Sequence, residues 1–343
     1  TEQVYADAYI VCVPTPFRGD HSFDTKYIRA ACGALAPHLR AGTLVVLEST
    51  SAPGTTEDMA KHLVELRPDL SLNDEDDNAI FVAHCPERVL PGKIMEEMEN
   101  NDRLIGGLTL KGAELARQLY STFCTADLLV TDAITAEMAK LTENSFRDVN
   151  IAFANELSVI CDRLGIDVWE LIELANHHPR VNVLQPGPGV GGHCIAVDPW
   201  FIVSAAPDEA KLIKTAREVN DGKPEWVMRQ VLGALEGKEK PVVTALGITF
   251  KNDIDDLRES PSLEIVKRLG VDNPQLDIRV VEPNVKKLPQ VLSNLSNIKK
   301  QETMEAIAAA DVVLLLVNHK EFVALDQSVL QGKQVIDTKG IWR

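Results

Sequence analysis

The sequence predicts an α/β protein built from two doubly wound units joined by a helical middle segment. Three observations predict it. Short apolar runs alternate with helical stretches from residue 8 to about 130, strand signals vanish between about 132 and 235, and they return from Pro241 onward. Alternating strand and helix signals are the trace that a parallel sheet covered by helices leaves in a sequence. The 343 residues are enough for two domains with cores of their own.

In chain order, the apolar run Ala8 to Val13 predicts a strand, 24–37 a helix, 43–48 a strand and 55–66 a helix. Strands are expected at 79–84 and 103–107, and a helix at 111–122. From Ala133 to Leu164 apolar residues recur at helical spacing with no Pro or Gly, which predicts one long helix. Pro241 to Gly247 restarts the strands, followed by a helix near 260–269, a strand at 276–281 and the very apolar run Val312 to Val317. The expected boundaries are 1–131, 132–235 and 236–343. Both outer parts read as Rossmann-like units, which place ligands beyond the carboxyl ends of their parallel strands.

Composition removes several classes of function. Asp and Glu outnumber Lys and Arg by 51 to 35, a formal charge of -16, which argues against nucleic acid as a partner. No apolar run approaches the roughly 20 residues needed to span a bilayer. The six cysteines form no C-x-x-C pair, so no metal site is expected, and the absence of a secretory pattern makes the cytoplasm the expected compartment. The apolar face of the long helix is wide enough to pack against a second copy, and a homodimer through the middle segment is expected.

Chemistry concentrates in three places. Pro186-Gly-Pro-Gly-Val-Gly-Gly-His-Cys194 holds four glycines in nine residues and leads to Asp198-Pro199 at a helix start. Glycine lets a backbone approach a ligand and turn its amides inward, and a thiolate is favoured near a helix start. A lone cysteine is more often a small buried hydrophobe; the glycine loop favours a nucleophile here. Lys140, Asn144 and Arg147, four and three residues apart, share one helix face, which is either solvated or turned to a ligand. Leu246 to Pro261 runs from a strand into a charged loop, where Lys251 and Arg258 either clamp phosphates or belong to salt bridges with the neighbouring acids.

These segments resemble the UDP-glucose/GDP-mannose dehydrogenase family over essentially the whole chain. Val11-Cys-Val-Pro-Thr-Pro16 and Glu48-Ser-Thr-Ser-Ala-Pro-Gly-Thr-Thr56 are similar to its nicotinamide-side loops. Cys85-Pro-Glu-Arg-Val-Leu-Pro-Gly92 is similar to its substrate loop, the glycine loop to its nucleophile segment, and Asp337-Thr-Lys-Gly340 to its closing strand. Cys85-Pro-Glu-Arg88, His178-Pro-Arg180 and Cys194-Ile-Ala-Val-Asp-Pro-Trp200 resemble the branch acting on UDP-N-acetyl-D-mannosamine. The UDP-glucose branch usually has a second Glu where this chain has Pro91 and a Lys where it has Val197, so the resemblance points away from that substrate.

The resemblance implies an NAD-dependent oxidation of a sugar 6-hydroxyl to a carboxylate, in two hydride transfers to two NAD. Cys194 would capture the aldehyde as a thiohemiacetal, and its oxidation would give a thioester that water hydrolyses. Lys140 would move protons and, with Asn144, hold the oxyanion; Asp198 would orient a water, and Glu87 would be the hydrolytic base. Arg88, Val89, Arg147, His178, Arg180 and Gly191 would contact the UDP-sugar, with Phe250, Lys251 and Arg258 at its far end. Thr15 and Thr50 would meet the cofactor. The same chemistry on UDP-glucose, UDP-N-acetylglucosamine or GDP-mannose, and sugar-nucleotide binding without turnover, are the alternatives.

A dinucleotide-binding unit opens with a strand and a G-x-G-x-x-G turn, and none precedes Val11-Cys-Val-Pro-Thr-Pro16. The first unit is therefore expected to be the remainder of an NAD-binding domain lacking its N-terminal βαβ part, on the order of 60–80 residues, with NAD binding severely weakened while the UDP-binding half persists.

Overall fold

The structure, a computed structural model, describes residues 5–89, 93–192 and 194–343. By packing, the chain divides into two compact units, Thr1–Ser145 with Val197–Lys211, and Phe146–Ala196 with Leu212–Arg343. Each is built on its own five-stranded sheet.

The first unit contains β1 (Ala8–Val11), α1 (Lys26–Leu35), β2 (Leu44–Leu47), α2 (Thr55–Leu66), β3 (Phe81–His84), α3 (Ile94–Asn100), β4 (Arg103–Gly107), α4 (Leu110–Tyr120) and β5 (Leu128–Asp132). Its strands lie in the order β1-β2-β3-β4-β5. The buried residues of β2 alternate between two cores, as a pleated strand covered on both faces requires. Val45 and Leu47 join Ile28, Met59 and Leu63 of α1 and α2, whereas Leu44 and Val46 join Ala113, Ala116 and Tyr120 of α4.

A uniformly parallel sheet is corrected at one joint. β4 runs antiparallel to β3, through Ala83 opposite Gly107 and His84 opposite Gly106. A parallel crossover needs a helix that packs its apolar face on the sheet. The helix between these strands, α3, buries no residue, so it does not make that crossover.

The helix α5 (Ala133–Leu164) is continuous over 32 residues and begins in the first unit and ends in the second. Three further helices follow: α6 (Val168–Asn176), α7 (Asp198–Ala205), which belongs to the first unit, and α8 (Lys211–Ala234), which leads into the second sheet; the described residues between α6 and α7, the glycine loop among them, are not helical.

The second sheet comprises β6 (Val242–Leu246), β7 (Asp277–Val281), β8 (Ile298–Lys300), β9 (Val312–Leu315) and β10 (Gln334–Asp337). The connecting helices are α9 (Pro261–Asp272), α10 (Gln290–Ser293), α11 (Thr303–Ala309) and α12 (Lys320–Val323). All four pairings are parallel, in the order β10-β9-β6-β7-β8. The chain winds outward from β6 through β7 to β8, then restarts on the other side at β9. Ligands of such sheets bind beyond the carboxyl ends of the two strands at that reversal, here β6 and β9. Among the described residues no helix is long and apolar enough to cross a membrane.

Candidate active site

In the first unit, Asp198 opens α7, is only 3% exposed, and accepts a hydrogen bond on Oδ2 from Asn144 Nδ2 at 2.5 Å. Burial pushes its carboxyl up to about 6, opposed by the Asn144 hydrogen bond and the Lys140 charge. Desolvation prevails because one amide and one nearby cation replace less than the hydration the carboxylate loses. Lys140 and Asn144 thus meet Asp198 through the α5 face their spacing predicts. Arg147, one turn on, is exposed and belongs to the second unit.

Aromatic contacts fix the start of α7. Trp200 stacks on His21 at 4.0 Å between ring centres, and Phe201 meets Phe23 edge-on at 4.8 Å. His21 and Phe23 belong to the segment after β1, which also carries Thr15.

Thr15 and Thr50 are half-buried and follow the carboxyl ends of β1 and β2, which pair in parallel. Ser49 ties the two ends together: its hydroxyl donates to Val13 O at 2.8 Å and accepts from Val13 N at 2.7 Å. Thr15, Ser49 and Thr50 thus place hydroxyls beyond the carboxyl ends of two adjacent parallel strands, where ligands of such sheets bind.

Glu87 and Arg88 find their partners within their own unit. Glu87 Oε1 accepts from the backbone N–H of both Arg88 and Val89 at 2.6 Å, so this carboxylate caps its own loop. Arg88 forms an ion pair with Glu143 of α5 at 2.7 Å and donates to Asp102 O at 3.0 Å. Pro91, which distinguished the sugar branches, and His193 of the glycine loop lie outside the described residues.

In the second unit, Cys194 is exposed in the turn preceding α7. The glycine loop lies against the segment that ends at Pro261. A Cβ at Gly191 would run into the Glu259 carbonyl oxygen, and one at Gly192, whose φ is +89°, would stand 3.1 Å from the Phe250 ring. Phe250 is therefore brought to the glycine loop. Lys251 is exposed nearby in sequence, whereas Arg258 forks onto Asp256 at 2.6 and 2.9 Å, the salt-bridged alternative. His178 and Arg180 are both exposed beyond α6, linked by the Arg180 N–H donating to His178 Nδ1 at 3.3 Å.

Several structural supports carried no motif in the sequence. Asn155 Oδ1 accepts from Gly187 N at 2.9 Å, and its amide donates to Asn220 Oδ1 at 2.8 Å. Asn220 in turn donates to Asp148, which forms a buried ion pair with Arg217 at 2.6 Å. This chain of side chains ties the start of the glycine loop to α5 and α8. In the first unit, Glu137 is 1% exposed and accepts from Gly54 N, Thr56 N and the Thr56 hydroxyl at 2.5–2.7 Å. It caps α2, whose own N-cap, Gly54, has no side chain to do so. Burial raises its carboxyl, opposed by those hydrogen bonds. Glu137 lies three residues before Lys140, so it joins the Glu48–Thr56 loop to the part of α5 that carries Lys140. Lys339, beyond β10, stands beside Gly187; burial pushes its amine down to about 8, with Asp337 pulling the other way.

Three parts of one family match in order: the NAD binding domain of the UDP-glucose/GDP-mannose dehydrogenase family over residues 1–124, its central domain over 134–222, and its UDP binding domain over 244–343. An NDP-N-acetyl-D-galactosaminuronic acid dehydrogenase of Ralstonia nicotianae is 54% identical over 344 residues, covering 100% of this chain and 80% of the relative. A UDP-N-acetyl-D-mannosamine dehydrogenase of Campylobacter jejuni is 58% identical over 321 residues, covering 93% and 79%. Among solved structures, a UDP-D-ManNAc dehydrogenase from Pyrococcus horikoshii superposes with a TM-score of 0.85 at 36% identity, covering 98% of this chain and 78% of that one. NAD is the cofactor that the matching domain binds. The chain belongs to the UDP-glucose/GDP-mannose dehydrogenase family.

Proposed function

We propose that this chain oxidises the 6-hydroxyl of UDP-N-acetyl-D-mannosamine to the carboxylate with two NAD, using Cys194 as nucleophile. The observation that carries the reading is the buried Asp198, held by Asn144 with Lys140 nearby, at the start of a helix four residues beyond Cys194. A carboxyl with a pKa of about 6 is mostly ionised at neutral pH and suited to orienting a water.

Thr15 and Thr50 would help to hold NAD, which when bound would supply the hydride acceptor for both oxidations. Lys140 moves the hydroxyl proton and, with Asn144, holds the oxyanion. The Cys194 thiolate adds to the aldehyde carbon, giving a thiohemiacetal; loss of the second hydride leaves a thioester. Water, oriented by Asp198 and activated by Glu87, cleaves that bond and returns the thiol. The balance is one alcohol, two NAD⁺ and one water to one carboxylate, two NADH and three protons. The nucleotide end is assigned to Phe250 and Lys251, with the exposed Arg258 joining them on exchanging its Asp256 partner for a phosphate, and the sugar end to Arg88, Val89, Arg147, His178, Arg180 and Gly191.

Two relatives support an N-acetylated sugar, one named for mannosamine and one for galactosaminuronic acid. NADH formation measured with UDP-N-acetyl-D-mannosamine, UDP-N-acetyl-D-galactosamine, UDP-N-acetylglucosamine, UDP-glucose and GDP-mannose tests the choice. The highest kcat/KM is expected for the mannosamine donor, and preference for a donor without an N-acetyl group would contradict it.

The reading includes a homodimer in the cytoplasm. Phe146, Phe153 and Ile160 are exposed at seven-residue intervals on α5, one apolar stripe that a second copy would cover. Phe153→Asp is expected to sediment as a monomer while the parent sediments as a dimer. A compartment that keeps thiols reduced suits six cysteines with no disulfide among them, and cell fractionation tests it.

A further inference from the structure

We infer that His319, with its proton on Nε2, is a positioning residue for the nucleotide end of the substrate, acting through the backbone of the loop that carries Phe250 and Lys251. This rests on the proposed assignment of those two residues to the UDP moiety.

His319 is fully buried just beyond β9, at the reversal of strand order where ligands of this sheet type bind. Its Nδ1 accepts from the Asp253 N–H at 2.9 Å, with the Asn284 amide 3.0 Å away. A proton on Nδ1 would point at those donors, so it resides on Nε2, which donates to Glu282 Oε2 at 3.2 Å with Thr249 Oγ1 at 3.3 Å. Glu282, 1% exposed, is itself fixed by Ile248 N at 2.8 Å and Asn284 N at 3.0 Å. The loops after β6, β7 and β9 therefore meet at one imidazole.

That meeting point fixes the loop on both flanks of Phe250 and Lys251. On one side, the buried Thr249 hydroxyl donates to the Lys251 carbonyl at 2.8 Å. On the other, Asp253 is held in the left-handed region at φ +59°, its N–H on His319 and its Oδ1 accepting from Lys320 N at 3.0 Å. The backbone between cannot shift without breaking one of these bonds, and a buried network in which each partner is satisfied is rigid. The position of Glu282 adds a second argument. A dinucleotide-binding Rossmann unit uses an acidic residue roughly 20 positions after its first turn to hold a ribose. Here the acid at the end of the second strand is spent on His319, Ile248 and Asn284, so recognition passes to the loop the network holds.

Two substitutions separate the halves of the imidazole. His319→Asn offers an acceptor close to Nδ1 and keeps the Asp253 bond; His319→Gln offers a donor close to Nε2 and loses it. Calorimetric titration of UDP into the full chain needs no cofactor. His319→Asn is expected to bind UDP within about 3-fold of the parent, and His319→Gln roughly 10-fold more weakly. Hydrogen exchange at the Asp253 amide, read without ligand, is expected to be slow in the parent and the Asn variant and fast in the Gln variant. Parent-like UDP affinity in the Gln variant, or equal weakening in both variants with the Asp253 amide still protected, would overturn the role. No UDP binding by the parent overturns the nucleotide-site assignment and this role with it. The exchange data distinguish that result from a failure of His319 alone.

Discussion

Cys194→Ser is expected to bind the UDP-sugar almost as the parent does and to form the carboxylate roughly 10³-fold or more slowly, the scale of removing a nucleophile that acts as part of a unit. The serine hydroxyl is nearly isosteric but barely ionised near neutral pH, whereas a thiol is intrinsically the more acidic and more nucleophilic group. The thioester is also hydrolysed more easily than the oxygen ester that serine would form. Loss should therefore fall on kcat, with the UDP-sugar Kd changing little, because the side chain is exposed in its turn and its replacement removes no buried packing. Parent-rate production of the carboxylate by the Ser variant would show that the covalent route is wrong.

Asp198→Asn is expected to lower kcat by roughly 10²-fold, the usual contribution of a positioned acid–base group, while making the fold more stable above neutral pH. The sign follows from its carboxyl, raised from 3.8 to about 6 by burial. The folded state holds the proton more tightly than the unfolded chain, so the stability this group contributes is complete below about pH 4. It is lost as pH rises through about 6. At pH 8 the parent carries a buried carboxylate that Asn does not, a difference on the order of 3 kcal/mol. Denaturant melts at pH 4 and pH 8 should show a gain for the Asn variant at pH 8 that is absent at pH 4. A gain of equal size at both values would contradict the desolvated carboxylate. In the parent, the acid limb of kcat/KM should fall with an apparent pKa near 6, and that limb should vanish in the variant.

What could be read from the sequence and what could not differ for physical reasons. The long helix was legible because 32 residues without Pro or Gly repeat one apolar period, and that period also placed Lys140 and Asn144 on one face. The glycine loop was legible because glycine is chosen where a Cβ would collide, as at Gly191. The antiparallel joint between β3 and β4 was not, since it depends on whether α3 packs on the sheet, and an apolar pattern of seven residues does not decide that. Strand β8, three residues long, is too short to have a period at all. The partners of charged groups were also hidden. Arg88 and Glu143 lie 55 residues apart, and His319 reaches Thr249 across 70, so neither pairing leaves a local trace. Arg258 was ambiguous because Asp256, the residue it engages, is two positions away and resembles any charged loop.

The central claim is a four-electron oxidation through a covalent intermediate on Cys194, and the most direct measurement follows single turnovers with UDP-N-acetyl-D-mannosamine. NADH is counted against carboxylate formed, while acid-quenched protein is analysed by peptide mass. Two NADH per carboxylate are expected, with no aldehyde in solution and a transient acyl adduct on the peptide that contains Cys194. One NADH per sugar with aldehyde released, or two NADH with no adduct on that peptide at any time, would contradict it.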